Sequence, residues 1–261
     1  MSLEWIQKKA KAKPSIVIVY GPSGLGKTTL AIGSKNPILL QTEEGLGILT
    51  KKREIAHSGL IKDYDTFIDR LNKLINTDDL PFDTLVVDSL DWLEPLVFAK
   101  TCEVHKQQSI ESFGYGRGYS EATKYWREIL DLVNRLRNEK SMRIVLIAHN
   151  QIKTFHDPST ESYDRHELKL NKHASALVLE ASDMCLFLNY KKGTVKVQGN
   201  KGLTSKTVQS GRVLVTTESP AAVAKNRYGL PEEIPVVEEG DDFIVRAEKT
   251  WAEIGKLINK T

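Results

Sequence analysis

"SIVIVYGPSGLGKTTL", residues 15–30, decides the fold. Its first part is a short run of Ile and Val with no polar alternation. Such a run suits a strand buried on both faces of a parallel sheet. The second part fits G-x-x-x-x-G-K-[ST] at Gly21, Gly26, Lys27 and Thr28, with Pro22, Ser23, Gly24 and Leu25 inside the loop and Thr29 after it. Glycines let backbone N–H groups turn inward around phosphate oxygens, and a helix starting near Lys27 points its positive end at the same anion. The spacing places Lys27 on the β- and γ-phosphates and the Thr28 hydroxyl on magnesium. A nucleoside triphosphate with Mg2+ is the expected ligand.

Further elements follow in order. "PILLQ" (37–41) reads as a second strand, ahead of "TEEGLG". "DTFIDRLNKLINTDD" (65–79) carries Phe67, Ile68, Leu71, Leu74 and Ile75 at helical spacing. "PFDTLVVD" is a third strand that ends in Asp88, about sixty residues beyond the phosphate loop, where a magnesium carboxylate belongs. "SEATKYWREILDLVNRLRNEK" (120–140) is a long amphipathic helix, and "MRIVLIAHNQIK" (142–153) a fourth strand ending in His149, Asn150 and Gln151. "DMCLFLNYKKGTVKVQ" opens a hairpin-like region, and "GRVLVTTE" is another strand. Strands alternating with helices imply an open α/β sheet, whose ligands gather at the carboxyl ends of the strands. Lys27, Glu43, Asp88 and Gln151 all fall at or just beyond such ends.

The residue after Asp88 is Ser89, where many nucleotide-hydrolysing enzymes carry a glutamate. A catalytic base must then come from elsewhere. Glu43 and Glu44 are the candidates. Glu94 is a third, but it lies nearly two helical turns past Asp88 and reads as structural.

Composition sets outer limits. The chain has 261 residues, 40% apolar and 27% charged, with net charge +3. No apolar run is long enough to span a bilayer, and the lysine-bearing N-terminus lacks the apolar segment of a secretory signal. Cys102 and Cys185 stand alone, which fits reduced thiols in the cytoplasm. The expected organisation is an N-terminal segment (1–13), one nucleotide-binding domain (14–230), and an acidic linker with a C-terminal amphipathic helix (231–261). Charge is uneven. Residues 190–230 hold eight Lys or Arg and one acid, whereas 231–261 hold four bases and eight acids. The basic stretch suits a polyanion or merely keeps an exposed edge soluble.

The motif order resembles the RecA-like ATPase core shared by RecA recombinases and DnaB-type replicative helicases, over roughly residues 14–230. "GPSGLGKTT", "LLQTEEGL", "LVVDS", "IAHNQIK" and "AKNRYG" carry it. The resemblance implies a mostly parallel twisted sheet flanked by helices, with a C-terminal β-hairpin region and terminal helix. It makes Glu43 the base, ahead of Glu44, and Gln151 the sensor that passes γ-phosphate state to a DNA-binding loop. It makes Arg227, with Lys225 beside it, a finger reaching a neighbouring subunit's nucleotide. Missing larger appendages, the chain looks most like compact phage-encoded RecA-like ATPases of recombination and single-strand annealing. The implied partners are single-stranded DNA, further copies of the chain in a ring or filament, and a single-strand DNA-binding protein. A phage origin would put it in the host cytoplasm.

Two stretches look like DNA loops. In "HKQQSIESFGYGRGYS" (105–120), Phe113, Tyr115 and Tyr119 can stack on bases while Arg117 meets phosphate. In "KTFHDPSTESYDRHELKLNKH" (153–173), read as structureless, Lys153, Arg165, Lys169 and Lys172 are the candidates, amid four acids. The rival readings are a DnaB-like ring translocase, a small-substrate P-loop kinase and a nucleotide switch that does not hydrolyse.

Overall fold

The computed structural model describes residues 12–51, 53–156, 161–199 and 202–259; residues 1–11, 52, 157–160, 200–201 and 260–261 lie outside them. The expected open α/β architecture is present, with a mostly parallel central sheet between helical layers.

At its centre is β1 (Ile16–Gly21), buried at every position, as its unbroken apolar run requires. Parallel neighbours flank it: β5 (Arg143–Phe155) on one side and β7 (Met184–Gly199) on the other. Beyond β5 come β4 (Thr84–Asp88), β2 (Pro37–Gln41) and the edge strand β3 (Ala56–Leu60). Beyond β7 the pairing turns antiparallel, to β8 (Gly202–Val215) and the short β10 (Glu233–Pro235). β5 therefore lies between the strand that feeds the phosphate loop and the strand that ends in Asp88.

The side-chain period of two divides β1 between two cores. Ile16, Ile18 and Tyr20 face a layer containing α2 (Tyr64–Asn76), α3 (Leu90–His105), α4 (Arg117–Glu139) and α5 (Lys172–Ala181). Val17 and Val19 face α1 (Lys27–Ile32) and α6 (Phe243–Ile258). Along α4, Tyr125, Trp126, Ile129, Val133 and Leu136 recur every three or four residues and are buried. Helix α2 starts where the Asp63 side chain accepts from Thr66 N, satisfying a first-turn donor.

Two readings change, and one strand is added. Residues 153–173 are not a structureless loop. β5 runs on to Phe155 and pairs antiparallel with β6 (Tyr163–Leu168), and α5 begins at Lys172. Charged and polar side chains on both faces of a solvated hairpin mimic a loop. Next, "AHSGL" forms a strand although it has no apolar pattern, because an edge strand gains its order from one neighbour's backbone. Lastly, 231–242 is more than an acidic linker. Ile234 and Val236 are buried, and β10 pairs with β8.

Helix α6 packs directly on α1. Trp251 Nε1 donates to Leu30 O at 2.6 Å. Gly33 ends α1, and a Cβ there would collide with Ala247 Cβ. Gly33→Val is therefore expected to cost about 1–3 kcal/mol through overpacking. Thermal melting checks this; an unchanged Tm would mean that α6 is not seated on α1.

Candidate active site

The carboxyl ends of β1, β2, β4 and β5 converge on a cleft of ≈ 480 Å³. The phosphate loop forms one wall. Gly24 and Gly26 take positive φ values of 79° and 87°, a region open to glycine at little cost. Thr28 Oγ1 donates to Asp88 Oδ2 at 2.7 Å, which joins the start of α1 to the end of β4. Lys27 is 6% exposed, and its Nζ donates to the carbonyls of Gly21 and Pro22 at 3.0 Å each. Burial lowers the Lys27 pKa, while Asp88, Asp91 and Glu43 nearby favour its charge.

Burial pushes the Asp88 carboxyl up to about 6, against the Thr28 hydrogen bond and the Lys27 charge, which lower it. A hydroxyl and a carboxylate side by side are hard oxygen donors, and this carboxylate is poorly solvated as an anion. That donor set fits magnesium. Among the described residues no cluster of three or more His, Cys, Asp or Glu could hold another kind of metal centre.

Glu43 follows β2 and is fixed by its neighbours. Its backbone N and that of Thr42 donate to Asp88 O at 3.2 and 2.8 Å. The Gln41 amide donates to Glu43 O at 2.8 Å. The Ser89 hydroxyl donates to Glu43 Oε2 at 3.2 Å. Thus the serine found where a glutamate stands in other enzymes orients a glutamate from the next strand. Glu44 lines the same cleft but is exposed.

His149 belongs to this group, though its sequence position marks it only as part of a polar strand end. It ends the stretch of β5 that pairs with β1, opposite Gly21. Its Nδ1 lies 2.9 Å from Asp91 Oδ2 and 3.9 Å from Glu43 Oε2. Asp91 is 3% exposed at its side chain and also accepts from His149 N at 2.9 Å. Burial works against the Asp91 anion, but the side-chain and backbone hydrogen bonds from His149 prevail and hold its pKa below the usual carboxylate range. The one sequence signal is the spacing: Asp91 lies three residues past Asp88, and His149 two before Gln151.

A second cleft of ≈ 400 Å³ shares Ser23, Glu43 and His149 with the first and adds Trp92, Gln151 and Lys169. The Gln151 amide donates to Leu168 O at 2.8 Å and to Leu170 O at 3.3 Å. It therefore ties the strand end to the base of the β5–β6 hairpin and the approach to α5.

The other expected residues lie elsewhere. Arg227 is 55% exposed and 3.5 Å from Asp183 Oδ1, and Lys225 Nζ donates to Leu179 O at 2.6 Å. Asp183 accepts from Ile16 N, at the amino end of β1. Both cations thus sit at the opposite end of the sheet from the chain's own phosphate loop. Phe113 packs edge-on to His105, and Tyr119 packs on Phe98 and donates to Glu111. Tyr115 and Arg117 are exposed. Arg165 is taken up within its hairpin. It pairs with Glu167 and Glu218 and stacks on Phe155 at 4.2 Å, which is a poor arrangement for meeting DNA phosphate. Lys153 faces Glu167 at 3.9 Å, and Lys172 is exposed.

Glu94 is a structural acceptor. Both its oxygens take the Asn171 N–H, at 2.9 and 3.1 Å. Burial raises its pKa to about 7. The folded chain then holds a proton there that the unfolded chain releases near the ordinary carboxylate value of about 4.3. More protons bound in the folded state means that stability falls as pH rises across that window. Chemical denaturation at pH 5 and pH 8 is expected to show a loss on the order of 1–3 kcal/mol that Glu94→Gln removes. The same pH slope in both chains would refute this.

No helix among the described residues is long and apolar enough to cross a membrane. The crystal structure of the RadB recombinase is similar, at TM-score 0.49 and 16% identity, covering 88% of this chain and 90% of that one. The SPbeta prophage-derived uncharacterized protein YorG of Bacillus subtilis (strain 168) is 24% identical over 176 residues, 67% of this chain and 50% of YorG. The chain spans about half the length of this relative. A sequence model described as AAA domain matches residues 13–228. With that match across most of its length and a phosphate loop seated at the sheet centre, the chain belongs to the AAA domain family.

Proposed function

We propose that the chain is a DNA-dependent ATPase with a RecA-like core that grips single-stranded DNA and promotes recombination or strand annealing. The observation that carries the hydrolytic part is the Glu43 carboxylate, oriented by the Ser89 hydroxyl, with His149 3.9 Å away, on a wall shared by two adjoining clefts. A carboxylate held there suits a water positioned for in-line attack on a γ-phosphate. A passive switch that does not hydrolyse has no use for a base so placed.

The residues divide the work. The backbone from Gly21 to Thr29 cradles the phosphates, and Lys27 turns its ammonium from loop carbonyls to phosphate oxygen. Magnesium at Thr28 and Asp88 supplies further charge neutralisation when bound. Glu43 orients the water and takes its proton. Gln151 couples nucleotide state to the β5–β6 hairpin through the carbonyls of Leu168 and Leu170. Tyr115, Arg117, Lys153, Lys169 and Lys172 are the proposed DNA contacts, with Phe113 and Tyr119 supporting the first of these. Lys225 and Arg227 act on a neighbour's nucleotide, which requires head-to-tail assembly. A phage origin accords with the prophage-derived name of YorG.

Fluorescence anisotropy with a labelled oligo-dT tests the coupling. Glu43→Gln, used to hold ATP unhydrolysed, should bind the strand about 5- to 150-fold more tightly with Mg-ATP than with ADP. Equal affinity in the two states, or no binding, would contradict the DNA-dependent reading.

A further inference from the structure

We propose that the C-terminal helix α6 completes the nucleotide site, with Phe243 as the platform on which the purine base stacks. This rests on the nucleotide reading above.

The main cleft is chemically two-ended. Toward β1 and β4 it is polar, with Lys27, Thr28, Asp88 and Glu43. Its other lining side chains include Leu46, Leu49 and Phe243. Leu46 and Leu49 are buried and belong to the core cluster behind the sheet, while Phe243 is half-buried and packs against that cluster. A ligand matching such a cleft has a polyanionic end and a flat apolar end, as a purine nucleotide does. Ligand sites are mostly apolar clefts with a few placed polar groups. An aromatic face also accepts a base with little demand on its hydrogen-bonding edge.

Position supports the assignment. Phe243 is the first residue of α6, and the segment before it is strapped across the phosphate loop. Arg212 Nη1 donates to Leu25 O at 2.8 Å. The same guanidinium donates to both oxygens of Glu238, at 2.7 and 2.8 Å. Asp242 caps the helix through Ile244 N at 2.7 Å and Val245 N at 3.2 Å. Trp251 then anchors the helix to α1. The ring is thus held by contacts to the same loop and helix that hold the phosphates. The terminal helix acquires a use in the site, beyond packing.

Titration of native chain, Phe243→Ala and Phe243→Tyr with ADP and with inorganic pyrophosphate tests this. Stacking on an aromatic is worth about 5- to 150-fold in affinity per base. Phe243→Ala should lose ADP affinity within that range and keep pyrophosphate affinity within about twofold, while Phe243→Tyr restores ADP binding. The pyrophosphate arm also reports whether the loop is still folded. Unchanged ADP affinity, or equal losses for both probes, would overturn the assignment. Failure of the native chain to bind either probe would instead overturn the nucleotide reading.

Discussion

Glu43→Gln is expected to keep ATP affinity and lose about 10²–10⁴ in turnover, the usual range for removing a general base. Glutamine is isosteric and can still accept the Ser89 hydroxyl that fixes Glu43 at 3.2 Å. It cannot take a proton. The neighbouring variant Glu44→Gln should stay within a few-fold of native turnover, because Glu44 is exposed on the rim and no such hydroxyl orients it. Single-turnover phosphate release, with nucleotide binding measured alongside, separates the two. A large loss at Glu44 with near-native turnover at Glu43 would transfer the base to Glu44.

Arg227→Ala is expected to lose about 10³–10⁵ in turnover, the range for an arginine finger in related phosphoryl transfer. Arg227 lies by Asp183 at the amino end of β1, away from its own phosphate loop. Any action on a nucleotide must therefore be on a neighbour's. Mixing offers a decisive readout. Arg227→Ala and Glu43→Gln are each expected to be inactive alone. At a mixed interface, an Arg227→Ala subunit keeps its Glu43 and receives Arg227 from the Glu43→Gln subunit. Activity should rise on mixing. A flat response, or native turnover by Arg227→Ala, would remove the finger.

The parts of the site that sequence made legible are those written in local pattern. The apolar run 16–20, the glycine spacing of the loop and the strand ending at Asp88 each need only neighbouring residues for their reading. Glu43 was legible through motif order, and its geometry then explained Ser89. What stayed hidden depends on partners distant in sequence. His149 gains meaning only from Asp91, fifty-eight residues earlier, which accepts its backbone N–H. Arg212 looked like one cation of a basic hairpin, but it bonds Leu25 across 187 positions. The β5–β6 hairpin was hidden because its faces alternate charge with charge rather than charge with an apolar residue, so a period of two left no hydropathy trace. In α6, the periodicity was visible, but what its apolar face covers was not, since the hole it fills is made by Gly33 and Leu30.

The central proposal is that the cleft hydrolyses ATP with magnesium and that single-stranded DNA controls the rate. Steady-state phosphate release by the native chain, with Mg-ATP, with and without single-stranded DNA, measures it directly. Lys27→Ala serves as the blank. Turnover that exceeds the blank and rises several-fold with DNA is the expected result. Turnover indifferent to DNA would contradict the proposed function, and turnover no greater than the Lys27→Ala blank would contradict the active site itself.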